Sequence, residues 1–301
     1  MRWYLHDFST TMIKFRSCGR LIRLAMWAAI VQIIALPAVI AEENTGAEIS
    51  RDVVDRKYVL GIAVGLERFD TNIKLTDPQT GNSTFIDAEG NFGLPESKTV
   101  PIIYGAVRFN ERHGFGFYAF KVNRSGSNFN IDEGFGNLRV IGNVSLADKS
   151  SFSYLTYHYR LFDDQRVLIR GLLGLYAMDL SLELNASGQI TLNDVPVLSG
   201  QYTESISQFA ALPLIRLDFW STVEGRWAMG ARVAMITGSY DDVSASVVDA
   251  AIQGRYQMTE HVALIAGVNY LSADVEIARP RLISDIRYGY DGVFFGFDFN
   301  F

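Results

Sequence analysis

The chain has 301 residues, a net charge of −6, a pI near 5.3, 49% hydrophobic residues, 26 Gly and 7 Pro. That composition is too apolar for a disordered polypeptide. The acidic balance leaves no basic stripe to neutralise phosphates, which excludes nucleic acid as a partner.

The first 41 residues read as a targeting segment. Arg16, Arg20 and Arg23 precede an apolar run from Leu24 to Leu36, and Ala38-Val-Ile-Ala41 suits a signal-peptidase cut near Ala41. The long positive region leaves Met12 as a second possible start, and an uncleaved anchor over 21–41 is the rival reading. Cys18, the only cysteine, lies in this segment, so the mature chain is expected to lack disulfides, thiolate metal sites and cysteine nucleophiles. Residues 42–56 read as a short periplasmic N-terminal segment, and 57–301 as a single barrel domain.

From there on the hydrophobicity has the two-residue period of β-strands. Tyr58, Leu60, Ile62, Val64 and Leu66 alternate with Gly61, Ala63 and Gly65. The same rhythm runs through Val262–Tyr270 and through Val293, Phe295, Phe297, Phe299 and Phe301. Ten strands are expected, near 57–69, 99–110, 114–125, 150–162, 166–184, 205–222, 226–240, 243–258, 261–278 and 287–301. Tight polar turns at Asn110–His113, Asp163–Gln165, Val223–Gly225 and Thr259–Glu260 contrast with long Gly/Asn/Asp/Ser-rich stretches at 70–98, 126–149 and 185–204. Short turns on one side and long loops on the other describe an all-β, antiparallel, up-and-down transmembrane barrel in the bacterial outer membrane. Outward aromatics Phe109, Phe219, Trp227, Tyr256 and Phe299 would form its periplasmic girdle.

A charge on the lipid face near the midplane costs about 2–4 kcal/mol for Arg or Lys. Charged residues of the strands are therefore assigned to the lumen: Glu67, Arg108, His158, Arg160, Arg216, Asp218, Arg255 and Asp298, with Lys121, Asn123, Arg170, Arg232, Asp249 and Gln253. In a barrel this narrow they either pair into a polar plug, Arg108, Arg160, Arg216 and Arg255 against Glu67, Asp218 and Asp298, or line a narrow anion-preferring channel. His158 has no nucleophile that the sequence can pair with it, so no catalytic residue is assigned. Asp87-Ala-Glu89 and Asp132-Glu133 offer oxygen ligands, but without a metal-binding repeat they read as solvated loop acids. Gly114-Phe-Gly116 and Gly134-Phe-Gly136 lack a following helix and are not nucleotide loops, so no cofactor is expected.

The ending Phe294-Phe-Gly-Phe-Asp-Phe-Asn-Phe301 resembles the C-terminal signature of bacterial outer-membrane proteins. The resemblance implies that Phe297, Phe299 and Phe301 form the signal read by the barrel-assembly machinery. Phe85-Ile-Asp-Ala-Glu-Gly-Asn-Phe-Gly-Leu-Pro95, Val107-Arg-Phe-Asn110 with Arg112-His113, and Arg124-Ser-Gly126 are similar to stretches of a largely uncharacterised proteobacterial outer-membrane barrel group. Gly90-Asn91-Phe92 departs from it, because that group tends to carry acids there. The expected role is non-enzymatic: a structural barrel or surface-interaction module, with outer-membrane lipid and lipopolysaccharide as surroundings. A narrow passive channel is the alternative, and a lipid-modifying enzyme stands third.

Overall fold

The computed structural model describes residues 56–301, except 77, 79, 80, 82, 136, 137, 165, 193, 194, 224, 241, 242, 280 and 281. The expected signal peptide, and 42–55 of the segment after it, lie outside the described residues. Thirteen strands and one short helix follow in chain order. They are β1 (Tyr58–Thr76), β2 (Ser83–Asp87), α1 (Ala88–Phe92), β3 (Ser97–Arg108), β4 (His113–Lys121), β5 (Arg124–Phe135), β6 (Leu138–Asp148) and β7 (Ser151–Asp163). After them come β8 (Val167–Leu192), β9 (Val195–Thr222), β10 (Trp227–Tyr240), β11 (Val243–Gln257), β12 (Val262–Arg279) and β13 (Leu282–Asn300).

Ten of these strands close a ring in the order β1-β3-β4-β7-β8-β9-β10-β11-β12-β13, every pair antiparallel. Closure leaves the ring without a free edge, so each backbone polar group within it has a neighbour to bond, as hydrocarbon requires. The seam lies between β1 and β13, where Tyr58 and Phe301 exchange both backbone hydrogen bonds at 3.1–3.2 Å. The three remaining strands stand at one end: β2 pairs with the top of β1, and the β5–β6 hairpin pairs with the top of β8.

At the opposite end the tight turns have local causes. Asn110 Oδ1 accepts from the N–H groups of Arg112 and His113, and Asp164 Oδ1 from those of Arg166 and Val167. Thr259 Oγ1 does the same for His261 and Val262. These side-chain-to-backbone bonds stand in for the ladder where the chain reverses.

The long stretches are corrected by the structure. Expected as loops, they are largely ordered hairpin. β8 and β9 run 26 and 28 residues and stay paired along their length, with one register shift between Ile190 and Thr191, whereas a membrane-spanning strand needs roughly 9–11. β1 likewise continues to Thr76, and 124–148 is a hairpin rather than a loop.

The strands also change character along their length. In β1 the outward Leu60, Ile62 and Leu66 are exposed and apolar, and the next outward residues are Arg68, Asp70 and Asn72. On its inward face Gly61, Ala63, Gly65 and Glu67 give way to Phe69, Thr71 and Ile73. β8 repeats the change: Leu173 and Leu175 face out at 59% exposure, then Tyr176, Met178, Leu180 and Leu182 are buried inside while Asp179 faces out. β13 shows it from the other direction, with Phe297, Phe295 and Val293 outward, then Asp291, then inward Tyr290, Tyr288 and Ile286. The apolar belt is about one membrane-spanning strand tall. Beyond it the outward face carries cross-strand ion pairs suited to water: Arg68–Asp291 (3.6 Å), Lys74–Asp285 (3.4 Å) and Arg287–Asp274 (3.0 Å). The spanning half is thus apolar outside and polar inside, and the outer half is the reverse.

Candidate functional site

Two clusters of polar side chains sit inside this frame, one in each half. In the spanning half, inward positions of neighbouring strands converge on the bore. Arg216 grips Asp218 through two bonds, Nε–Oδ1 at 2.5 Å and Nη2–Oδ2 at 2.8 Å, and its other terminal nitrogen donates to the Tyr154 hydroxyl. Arg170 reaches the same carboxylate at 3.5 Å. Arg255 stands 3.4 Å from Asp298 and donates to Asn300 Oδ1 at 2.6 Å, while Tyr104 donates to Asp298. Arg232 lies 3.4 Å from Asp249 and 5.2 Å above the Tyr118 ring. Glu67 is buried and accepts from Asn269 Nδ2 at 3.0 Å. A cavity of ≈ 130 Å³ remains between them, walled by Tyr104, Tyr118, Tyr154 and Trp220.

The structure places the expected lumen residues in three groups. Glu67, His158, Asp218, Arg255 and Asp298 are buried in the bore, with Arg216 almost so. Arg108 and Arg160 stand lower, in a narrower space at the short-turn end, where Arg160 pairs with Asp163, the last residue of β7. Lys121 and Asn123 are exposed, not luminal. Lys121 has the parity of Phe115 and Phe117 and ends β4 above the belt, where a polar outward side chain meets water. Glu67 is held by an amide, not by an arginine of the expected plug. Phe297 and Phe301 face outward and are exposed, at 42% and 70%, and Phe299 shares their face.

The tyrosines of this cluster were not singled out from the sequence. Tyr104, Tyr118 and Tyr154 count as apolar in an alternation, yet inside a polar bore they supply hydroxyls and ring faces. Their inward parity, shared with Gly114 and Thr156, is the signal that could have found them.

Above the cavity the bore is filled. Phe120 stacks on Phe152 at 4.8 Å, Phe152 meets Tyr288 at 5.3 Å, and Phe120 meets Tyr290 at 5.5 Å. The two contacts with β13 cross the lumen, because β3 and β1 stand between it and β4 in the ring, whereas Phe120 and Phe152 are opposed neighbours on β4 and β7. Met178, Leu180, Leu212, Ile236, Val247, Leu271 and Ile286, all at 1% exposure, complete a packed core there.

The second cluster crowns that core. Arg124, fully buried, places Nη1 2.6 Å from Glu89 Oε1 and 3.4 Å from the Pro95 carbonyl. Its Nη2 lies 2.9 Å from both Thr71 Oγ1 and Asp148 Oδ2, and its Nε 3.1 Å from Asp148 Oδ2. All five guanidinium N–H donors are thereby satisfied, and the plane lies 4.2 Å from the Phe69 ring centre. Burial opposes its charge, but Tyr288, Asp148 and Glu89 outweigh that and hold its pKa above the ordinary value. Glu89 also accepts from Thr71 N at 2.8 Å, and Asp148 from Ser150 N and Oγ at 3.1 and 2.6 Å.

Helix α1 delivers Glu89 to this point. Asp87 caps it by accepting from the N–H groups of Glu89 and Gly90, and Gly93, at φ 66°, ends it. Gly126 lies against it so closely that a Cβ there would stand 2.1 Å from the Gly93 carbonyl oxygen. The stretches 85–95 and 124–126, which carried the resemblance to an outer-membrane barrel group, therefore meet in space. Asp87 and Glu89 act as helix cap and ion-pair partner rather than as solvated acids; the side chains of Asp132 and Glu133 lie outside the described residues.

No protein-family model and no curated protein matches the chain. Solved structures do. The outer membrane protease OmpT from Escherichia coli superposes with a TM-score of 0.55 at 10% identity, covering 86% of this chain and 99% of that one. The fold is that of an outer-membrane β-barrel. The outer membrane protein OprG from Pseudomonas aeruginosa (11% identity, 80% and 96% covered) and Ail, the attachment invasion locus protein of Yersinia pestis (8%, 79% and 99%), match with TM-scores of 0.34 and 0.24. At such identities what is shared with OmpT is the architecture.

Proposed function

We propose that this chain is an integral outer-membrane barrel with a structural or surface-interaction role, exported by removal of 1–41 near Ala41 and set in lipid and lipopolysaccharide by the barrel-assembly machinery. The observation that carries the role is the filled outer half of the bore. A conduit needs a continuous wet path, whereas here an aromatic layer and an aliphatic core stand between the polar cavity and the long-hairpin end. Hairpin β8–β9, joined by β5–β6, extends the wall well past the apolar belt as a surface for contact with other molecules.

A non-enzymatic reading is supported by the chemistry of that outer half. OmpT is a protease by name, but the inward side chains of the outer half here are mainly aliphatic and aromatic, and the charged ones at its crown, Arg124, Glu89 and Asp148, satisfy one another.

The second reading, a narrow passive channel, is favoured by the polar cavity alone. Planar-bilayer recording separates the two. Reconstituted protein is expected to give no conductance steps, and stepwise currents that a Phe152→Ala variant enlarges would establish the channel instead.

A further inference from the structure

The wall above the apolar belt continues as a sheet in the order β5-β6-β8-β9, and its two edges differ in character. β8 pairs with β9 from Val195 to Ser221, but β10 pairs with it only from Leu214 to Thr222. Pro213, which has no N–H to give, stands where the β10 ladder stops. Above it, among the described residues, no strand pairs with the second edge of β9. Asp179, opposite Phe209 in the β8–β9 ladder, already faces water, so Leu198–Phe209 is an open edge outside the lipid.

Open edges invite pairing with other chains, and proteins blunt them with charges, prolines, bulges or a cover. The β5 edge has such protection: its register breaks between Asn128 and Ile131, Asp132 and Glu133 follow, and Gly126 lies against Gly93 at the end of α1. Leu198–Phe209 has no proline, no register shift and one charge, Glu204. Thr203, Ser205, Ser207 and Phe209 are exposed there. Such an edge is a template for another strand.

Charge selects the occupant. From Gly171 to Ile215 the chain carries four acids, Asp179, Glu183, Asp194 and Glu204, and no Lys, Arg or His. Lys149 lies 3.7 Å from Glu183, and Asp179 has no ion pair among the described residues. The net gain from a ladder hydrogen bond is close to the backbone entropy lost in ordering the residue that makes it, so main-chain pairing alone holds a flexible strand weakly. Opposite charge supplies the remainder. Ser205, paired with Glu183, is small enough for a long cationic side chain to pass over it, and Asp179 lies diagonally beside Ser207. A second copy fits less well. It brings the same acids, and a two-fold axis along the membrane normal sets two β9 edges parallel at equal heights, without the stagger that slanted parallel bonds need.

We infer that the free edge of β9, Leu198–Phe209, docks an extended cationic polypeptide segment of another protein as an added strand, an inference that rests on the surface-interaction role proposed above.

The full chain in detergent would be titrated with fluorescein-labelled peptides. One alternates Lys and Thr, one Glu and Thr, and one Lys and Pro, the last matching the first in charge but lacking the amides of a ladder. The Lys-Thr peptide is expected to bind saturably, the Lys-Pro peptide at least about tenfold more weakly, and the Glu-Thr peptide not at all. Hydrogen exchange should slow on binding in 198–209 and not in the other strands. Replacing Asp179→Asn, Glu183→Gln and Glu204→Gln together should weaken binding about tenfold, and Asp285→Asn on β13 should leave it unchanged. Heat-dependent gel migration checks that each variant is a closed barrel. If the triple variant fails to close, Ser205→Lys carries the test, with the same weakening expected. Equal binding of the Lys-Pro peptide, protection centred outside β9, unchanged affinity in the closed variant, or no saturation up to about 1 mM peptide would overturn the inference. Slowing of the same amides with rising protein concentration and no peptide would also overturn it, by making a second copy the occupant. Conductance steps in planar bilayers would instead contradict the surface-interaction role, so the two readings fail separately.

Discussion

The two halves of the barrel wall use the same strands with opposite chemistry. In the spanning half the outward residues, such as Leu173, Ile215 and Phe295, are exposed and apolar, while Arg216, Asp218 and Arg255 face inward. In the outer half the inward residues, such as Leu180, Leu212 and Ile286, form a close-packed core, while Asp179, Arg287 and Asp285 face out. Hydrocarbon and water demand opposite faces of one sheet. The position at which a strand swaps its apolar side therefore marks where its surroundings change.

The largest expected effect separates the halves by their stability. Replacing Arg124 with Met leaves the buried Glu89 and Asp148 without their cation, a change of about 3–5 kcal/mol. Proteolysis of 83–95 should become rapid in Arg124→Met, while the heat-dependent gel shift of the spanning half persists. Loss of the gel shift as well would show the halves to be one cooperative unit.

A second comparison uses one strand. Ile215 and Ser207 both face outward on β9, below and above the edge of the apolar belt. Ile215→Arg should cost about 2–4 kcal/mol in refolding into lipid vesicles, and Ser207→Arg no more than about 0.5 kcal/mol. Equal costs would place the belt wrongly.

Smaller effects probe the crown. Gly126→Ala forces a methyl group against the Gly93 carbonyl and should cost about 1–3 kcal/mol, read as faster hydrogen exchange across α1 and β5 with the spanning strands unchanged. Asp87→Ala removes only the helix cap and should cost about 1 kcal/mol, detectable as local exchange in 88–92 alone.

The reversal of faces also explains what could be read from the sequence. All ten ring strands were expected close to their observed places, because outward apolar residues mark them wherever lipid lies outside. The outward stripe stops at Leu66, at Leu175 and at Phe209, and the expected strands end beyond it at 69 and 184 and begin before it at 205, short of their full length. In β1, β8 and β9 the apolar residues had only moved to the other face. Lys121 was assigned inward by the same assumption, that a strand charge avoids the outside, which holds only within the belt. Polar inward parity puts Arg216, Asp218, Arg255 and Asp298 on one face without saying which pairs with which. The clamp on Arg124 is not legible in this way, since Asp148 faces it across the β5–β6 hairpin, in a stretch that reads as loop, and Glu89 and Thr71 come from α1 and β1.

Site-directed spin labelling along β8 tests the reversal most directly, using a chain without its single cysteine, Cys18, as background. Labels replacing Leu173 and Leu175 in lipid bilayers should be relaxed by dissolved oxygen and shielded from a water-soluble nickel chelate. Labels replacing Asp179 and Ser181 should show the opposite preference. Oxygen-dominated relaxation continuing through 181, or chelate access already at 173, would contradict a wall that changes faces at the membrane boundary.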